Sequence, residues 1–196
     1  MDPHPNLPVG PFPLGIHAAY PPPAPGIAYS AVLAALADEP GGWRLLFTRR
    51  SDRLADHSGQ IAFPGGRAEA RDSGPLRTAL REAQEEVGIP PEHLVPLGIL
   101  DPVDTHTGFR IWPVAAVLKQ PSDVRISSPE VVEFFWIPLA WLRERGRWEW
   151  RTAPSGPGRT ARRALFFETF QGQVLWGATA WITVQLLQPS TGGRTA

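Results

Sequence analysis

The chain has 196 residues, 19 Lys plus Arg balanced by 19 Asp plus Glu, 42% hydrophobic residues and no cysteine. That length and apolar content predict one domain with a substantial core, and the balanced charge removes the electrostatic case for nucleic acid or a strongly anionic membrane as main partner. The lack of cysteine excludes a disulfide framework, a thiolate nucleophile and a zinc-thiolate centre, and no apolar run follows a basic amino terminus, so a cytoplasmic location is expected.

Residues 1–26 carry Pro3, Pro5, Pro8, Pro11 and Pro13, then Pro21, Pro22, Pro23 and Pro25. This spacing prevents a continuous helix and predicts an extended arm across the domain, anchored by Phe12, Ile16 and Tyr20; a ligand for a proline-recognising partner is the alternative. Residues 27–188 are expected to form the folded domain and 189–196 a flexible tail. The apolar runs Ile27–Ala37 and Trp43–Arg49, separated by Asp38-Glu39-Pro40-Gly41-Gly42, predict a hairpin. Ile61–Phe63 predicts a short strand entering the turn Gly65-Gly66. Thr78–Val87 predicts a helix capped by Asp72 or Ser73, with Pro75 in its first turn and Gly88, Pro90 and Pro91 as its stop. Leu94–Leu100, Ile111–Leu118 and Phe134–Ile137 read as strands by β-branched and aromatic content. Leu139–Arg145 predicts a short helix, Arg163–Thr169 with Gln173–Leu175 a hairpin about Gln171-Gly172, and Trp176–Leu187 a closing helix. The most hydrophobic stretch, Val174–Leu187, holds 14 residues including Gln185, against the ~20 that a membrane span requires, so it is expected in the core. There is no internal repeat, and periodicity by itself gives only mixed α and β.

The chemistry concentrates in Arg81-Glu82-Ala83-Gln84-Glu85-Glu86-Val87-Gly88, where three carboxylates fall within five consecutive residues. Residues three and four apart share a helix face, so Glu82, Glu85 and Glu86 project together, and each like-charge pair destabilises the helix by ~0.2 to 0.5 kcal/mol. A solvated acidic face is the common origin of such a cluster. A divalent cation would reverse the sign of the repulsion, and the context favours that reading. The helix follows Phe63-Pro64-Gly65-Gly66, whose glycines permit close backbone approach to a ligand. Arg81 stands four residues before Glu85 and can hold that carboxylate while Glu82 and Glu86 face an ion. A glycine turn, a rigid helix and an oriented acidic set suit a hard metal acting on phosphates.

The run from Gly65 to Ile89 resembles the signature of the Nudix hydrolases: a glycine, a glutamate after five residues, then seven residues and an Arg-Glu-(apolar)-x-Glu-Glu-x-Gly-(apolar) ending. The ending matches at every defined position except that the small Ala83 fills the first apolar slot. Counting from Gly66, the glutamate slot is Asp72 and eight residues separate it from Arg81, which reads as a one-residue insertion in the entering loop. The stretch Leu45-Leu46-Phe47-Thr48-Arg49-Arg50-Ser51, with Leu54, His57 and Ser58-Gly59-Gln60-Ile61-Ala62-Phe63-Pro64-Gly65-Gly66, looks like the additional motif of coenzyme A diphosphatases. That subfamily carries the same lengthened box, with acidic residues at the slots of Glu69 and Asp72. The likeness continues through residues 107–114, 130–139 and 175–180 and spans about residues 27–187.

The resemblance implies an α+β fold, the Nudix-type α-β-α sandwich with a mixed β-sheet. It implies Mg²⁺, with Mn²⁺ as substitute, and hydrolysis of the diphosphate of coenzyme A, its esters or its oxidised form, to adenosine 3′,5′-bisphosphate and 4′-phosphopantetheine. Glu82 and Glu86 are the expected metal ligands, with Glu85 a third contact or the group that orients the attacking water. Gly65 and Gly66 offer a backbone carbonyl or N–H donors. The general base is expected at Glu130 or Glu133, beside a segment that borders the active site in the family; their spacing lets one point inward if the segment is loop or helix-like, and a surface ion pair is the alternative for each. Arg49, Arg50 and Arg53 could grip the ribose phosphate bidentately. His57 could donate to a phosphate oxygen, His106 rests only on its neighbouring loop, and His4, His17 and His93 carry no signal. The expected partner is a small molecule, with no nucleic acid and no membrane. Two other readings remain: a Nudix hydrolase for another nucleoside diphosphate derivative, such as a dinucleotide or nucleotide sugar, and a binding module that has lost the chemistry. The intact Arg81, Glu82, Glu85 and Glu86 set speaks against the second.

Overall fold

The computed structural model describes residues 28–53, 58–105, 109–121, 124–153 and 162–187. The proline-rich arm, His57, His106 and the C-terminal tail lie outside the described residues.

Tyr29–Glu39 (β1) and Gly42–Arg50 (β2) form the expected hairpin, in register from Leu36↔Leu45 to Glu39↔Gly42. The alanines of β1 have helical preference, but alternate positions are buried on both faces. Ala31, Leu33 and Ala35 enter one core, and Ala34 and Leu36 the other. This two-residue period fixes a strand buried on both sides and overrides propensity. Ile61–Ala62 (β3), Gly65–Arg67 (β4), Leu94–Ile99 (β5), Val103–Asp104 (β6), Arg110–Leu118 (β7) and Val131–Pro138 (β8) complete the sheet. Its order is β3-β2-β1-β7-β5, with β4 also on β1, β6 on β7 and β8 on β2. β1 and β7 run parallel and the remaining pairs antiparallel, so the sheet is mixed.

Helix Pro75–Val87 (α1) covers one face, its small Ala79 and Ala83 packing with Ala31, Leu33, Trp112 and Val114. Ala83, the undersized member of the motif, thus lets the acidic helix lie close to the sheet. Leu139–Arg143 (α2) and Gly177–Leu187 (α3) cover the other face over Leu36, Phe47 and Ile137. The architecture is the expected α-β-α sandwich. Among the described residues no helix is long and apolar enough to cross a membrane.

Several elements differ from the sequence expectation. α1 starts at Pro75, and its N-cap is Gly74 with no side-chain cap; Asp72 is engaged instead by Arg81 and Thr78. β8 begins at Val131 rather than Phe134, which places Glu133 in a strand and not in a loop or helical turn. Trp148–Thr152 (β9) was not expected, and it takes Arg163–Phe167 (β10) as its partner. The hairpin expected about Gln171-Gly172 forms no continuous ladder: Phe166↔Trp176 and Phe170↔Gln173 are isolated bridges, with the Phe167 N–H on the Leu175 carbonyl at 2.9 Å between them. β4 and β6 are too short to carry periodicity, and β4 forms because its glycines let the backbone press against β1.

Candidate active site

Two backbone devices fix the acidic helix against its surroundings. Gly88 ends α1 in the left-handed region at φ 65°, with its N–H on the Gln84 carbonyl at 3.1 Å and the Ile89 N–H on that of Ala83 at 3.3 Å. This satisfies carbonyls that a helix end leaves over. The Arg125 and Ser127 N–H groups then donate to the Val87 and Glu86 carbonyls at 3.1 and 3.0 Å. The segment entering β8 is thereby tied to the last turn of α1, which sets Glu130 in relation to Glu86.

The second device is the glycine turn. A Cβ on Gly65 would stand 2.4 Å from the Ala31 carbonyl oxygen, and one on Gly66 would stand 2.5 Å from Glu82 Oε1. Gly65 therefore admits close pairing with β1, and Gly66 makes room for a carboxylate. The Gly65 N–H donates to Glu86 Oε2 at 3.0 Å. Glu82 and Glu86 are thus both brought against the turn, as a ligand-binding arrangement of helix and loop requires.

Arg81 organises the helix from the other side. Its side chain is 10% exposed and its fork reaches Asp72 (Nη2–Oδ2 3.0 Å), Glu82 (Nη1–Oε1 2.9 Å) and Glu85 (Nη1–Oε2 3.0 Å). Nη2 also donates to the Arg67 carbonyl at 2.9 Å. Asp72, 1% exposed, accepts further from Thr78 Oγ1 and the Glu69 N–H, both at 3.0 Å. Burial alone would raise the Asp72 pKa, but the bonds from Arg81, Glu69 and Thr78 outweigh it and hold the carboxyl below its usual range. The Asp72 hydrogen bond, against burial, lifts the guanidinium of Arg81 above its usual value.

The helix carboxylates part company in this setting. Glu85 is 49% exposed and is held by Arg81 and by Arg71 (Nη2–Oε1 3.5 Å), which turns it to the outer flank. Glu82 is raised in pKa by burial, which exceeds the opposing effect of Arg81. Burial pushes Glu86 up to about 7, against the Gly65 N–H and Arg50, and the charges of Glu82 and Glu130 add to the rise. Among the described residues no three acidic or imidazole side chains converge as a ready-made metal cage. Mg²⁺ is usually held by one or two carboxylates with water and substrate phosphates. The oxygen-only donor set of Glu82 and Glu86, cradled at Gly66, fits such an ion.

Strand alternation separates the remaining candidates. Successive residues of β2 point to opposite faces, and the β2–β8 register shifts between Arg49 and Arg50. Arg49 meets Glu133 at 3.0 Å, and Gln173 donates to the same Glu133 oxygen at 3.1 Å. Arg50 turns toward α1, with Nη1 3.7 Å from Glu86 Oε1 and Nη2 3.3 Å from Glu130 Oε2. The geometry therefore brings Arg50 and Glu130 to Glu86, while Arg49 and Glu133 pair with each other. Arg53 is exposed, its N–H on Ser51 Oγ at 3.3 Å. Sequence reasoning gave one participant a different part and missed another. Asp72 is a buried counter-ion and not a helix cap, for which its box slot was the signal; Gln173 reaches Glu133 across 40 positions with no local signal.

Residues 29–157 match the Nudix domain family, and the chain belongs to that family. It is 38% identical over 144 residues to the uncharacterized Nudix hydrolase NudL of Yersinia enterocolitica, covering 74% of this chain and 72% of the relative. It is 41% identical over 143 residues to NudL of Pectobacterium atrosepticum, covering 72% of each. Among solved structures, a MutT/nudix family protein from Enterococcus faecalis is similar with TM-score 0.53 and 16% identity, over 86% of this chain and 63% of that one. A C. elegans Ap4A hydrolase in a binary complex gives TM-score 0.50 and 22% identity, over 57% of this chain and 80% of the other. At these identities the structural likeness bears on the fold alone. The chain is a Nudix hydrolase, a family that generally uses a divalent metal such as Mg²⁺.

Proposed function

We propose that this enzyme hydrolyses the diphosphate bond of coenzyme A or its derivatives, releasing adenosine 3′,5′-bisphosphate and 4′-phosphopantetheine. The observation that carries the catalytic half of this reading is the pair Glu82 and Glu86 set against the Gly65-Gly66 turn. A divalent cation held there by Glu82 and Glu86 would supply charge neutralisation on the diphosphate oxygens. Gly65 and Gly66 bring backbone within reach of the substrate. Arg81 holds Glu82 and Glu85 in fixed rotamers, and Glu130 takes the proton of the attacking water. Glu130 is preferred to Glu133 because its charge is felt by both Glu82 and Glu86, whereas Glu133 is clamped between Arg49 and Gln173.

The coenzyme A half of the reading rests on the motif from Leu45 to Gly66 and on the cations beside it. Arg53 is the exposed member of the arginine trio and the best placed by accessibility to grip the ribose 3′-phosphate, with Arg49 and Arg50 already engaged by glutamates. The test is a panel of coenzyme A, its analogue lacking the 3′-phosphate, ADP-ribose and a dinucleotide, each assayed with Mg²⁺. Loss of a charge-assisted contact of about 1.5 to 3 kcal/mol predicts a ten- to hundredfold preference in kcat/KM for coenzyme A over the 3′-dephospho form. The Arg53→Ala variant should shrink that ratio. Equal rates on the two compounds, or faster turnover of ADP-ribose or the dinucleotide, would remove coenzyme A as the substrate and leave the wider Nudix reading.

A further inference from the structure

Arg50 occupies a position that its sequence neighbours do not explain. It is the last residue of β2, lies where the β2–β8 register shifts, and sends one guanidinium nitrogen to each of two carboxylates from different elements. Glu86, 6% exposed, belongs to α1; Glu130, 51% exposed, precedes β8. One Glu86 oxygen accepts from the Gly65 N–H, and Arg50 stands at the other. At 3.7 and 3.3 Å both contacts are longer than the 2.9 and 3.0 Å bonds by which Arg81 holds Glu82, Glu85 and Asp72. Arg50 itself is 24% exposed and has solvent to move into.

We infer that Arg50 is a displaceable internal counter-ion: it neutralises Glu86 and Glu130 when no metal is bound, competes directly with the cation for Glu86, and is expelled when the cation binds. This inference rests on the reading of Glu82 and Glu86 as metal ligands. Its physical basis is that two cations cannot share one carboxylate face at short range. A guanidinium left ~5 Å from a divalent ion would weaken its binding by more than about tenfold even at the dielectric of water, so the side chain must move into solvent and the ion must replace its contacts. Without Arg50, Glu86 and Glu130 would face each other with no counter-charge from β2. The residue therefore exchanges metal affinity for a stable metal-free fold, and its departure releases Glu130 for its work on water.

The experiment is Mn²⁺ titration of the full chain, followed by electron paramagnetic resonance, for wild type, Arg50→Ala, Arg50→Lys and Arg49→Ala. Arg50→Ala should bind Mn²⁺ about tenfold tighter than wild type. Arg50→Lys keeps the charge and should stay near wild type. Arg49→Ala removes an equal charge one residue away and should leave Mn²⁺ affinity unchanged, because Arg49 pairs with Glu133. In parallel, thermal unfolding of metal-free Arg50→Ala should come below wild type, with saturating Mn²⁺ closing the gap. Equal or weaker Mn²⁺ binding by Arg50→Ala, with wild type binding normally, overturns the counter-ion inference alone. Equal tightening by Arg49→Ala also overturns it, since that would reveal a diffuse field and no competition at Glu86. Absence of Mn²⁺ binding in all four proteins overturns the metal-site reading and the inference with it.

Discussion

Arg81 and Arg50 each join a carboxylate of α1 to one outside it, yet they do so in opposite physical settings. The partners of Arg81 lie within one continuous stretch, from the Arg67 carbonyl to Glu85, and its contact with Asp72 joins side chains that are 10% and 1% exposed. The contacts of Arg50 join β2, α1 and the approach to β8, none of them shorter than 3.3 Å and with Glu130 half in water. A multidentate, desolvated pair is hard to replace by water or by another ion, whereas a stretched and partly wet one is easily exchanged. One arginine thus fixes Glu82 and Glu85 within a desolvated network, and the other holds Glu86 and Glu130 through contacts open to exchange.

The largest expected effect lies where the two networks meet. Glu82→Gln or Glu86→Gln should lower kcat by several orders of magnitude at saturating Mg²⁺, with stability unchanged or slightly raised because like charges on α1 are removed. Removing metal with EDTA should abolish turnover, and Mg²⁺ or Mn²⁺ should restore it. Turnover retained by either Gln variant would move the metal away from α1.

The next effect separates scaffold from cover. Arg81→Ala strands Asp72 as a buried charge, and breaking such a pair costs about 3 to 5 kcal/mol. Urea unfolding of the metal-free protein should report a loss of that size for Arg81→Ala and less than half of it for Arg50→Ala. Comparable losses in the two variants would mean that Arg81 and Arg50 do not differ as scaffold and cover.

How much of this was legible in the chain depends on the range of each interaction. The β1–β2 hairpin, α1 and its glycine stop were readable because their determinants lie within a dozen residues, in alternation, helical spacing and turn chemistry. Glu82 and Glu86 were readable for the same reason, since i and i+4 share a face. The N-cap was misread: Asp72 has the chemistry of a cap, and only the fold reveals that Arg81 and Thr78 claim it first. β9 was missed because Glu149–Thr152 are all exposed and carry no alternation of buried and exposed positions from which a strand could be read. Arg49 and Arg50 looked equivalent as neighbours in a basic run. The strand period sends them to different partners, and the partners Glu133 and Glu130 come from 84 and 80 positions away. No local pattern encodes which glutamate faces α1.

A pH dependence sharpens the scaffold side. The carboxyl of Asp72 lies below its reference value of 3.8 in the folded protein. A depressed folded pKa means the unfolded chain binds the proton more readily, so the stabilisation is fully present above about 3.8 and is lost as pH falls through the folded value. The stability difference between wild type and Asp72→Asn, from urea unfolding, should therefore be constant above about pH 5 and narrow below about pH 4. A difference that stays level down to pH 2 would mean that Asp72 is not held as the counter-ion of Arg81.

The smallest effect belongs to the pair that strand alternation carries away from the helix. Arg49 and Glu133 are 35% and 42% exposed and meet at 3.0 Å, with Gln173 on the same oxygen. Exposed pairs of this kind contribute about 0 to 1 kcal/mol, since water screens the attraction and fixing two long side chains opposes it. Gln173 lessens the loss further, because it continues to donate to Glu133 when Arg49 is removed. A double-mutant cycle of Arg49→Ala and Glu133→Gln should give a coupling below about 1 kcal/mol, against several for Arg81 and Asp72. If the two couplings came out alike, burial would not be what ranks these arginines. The division between a fixed scaffold on α1 and exchangeable pairs along β2 and β8 would then have to rest on hydrogen-bond geometry alone.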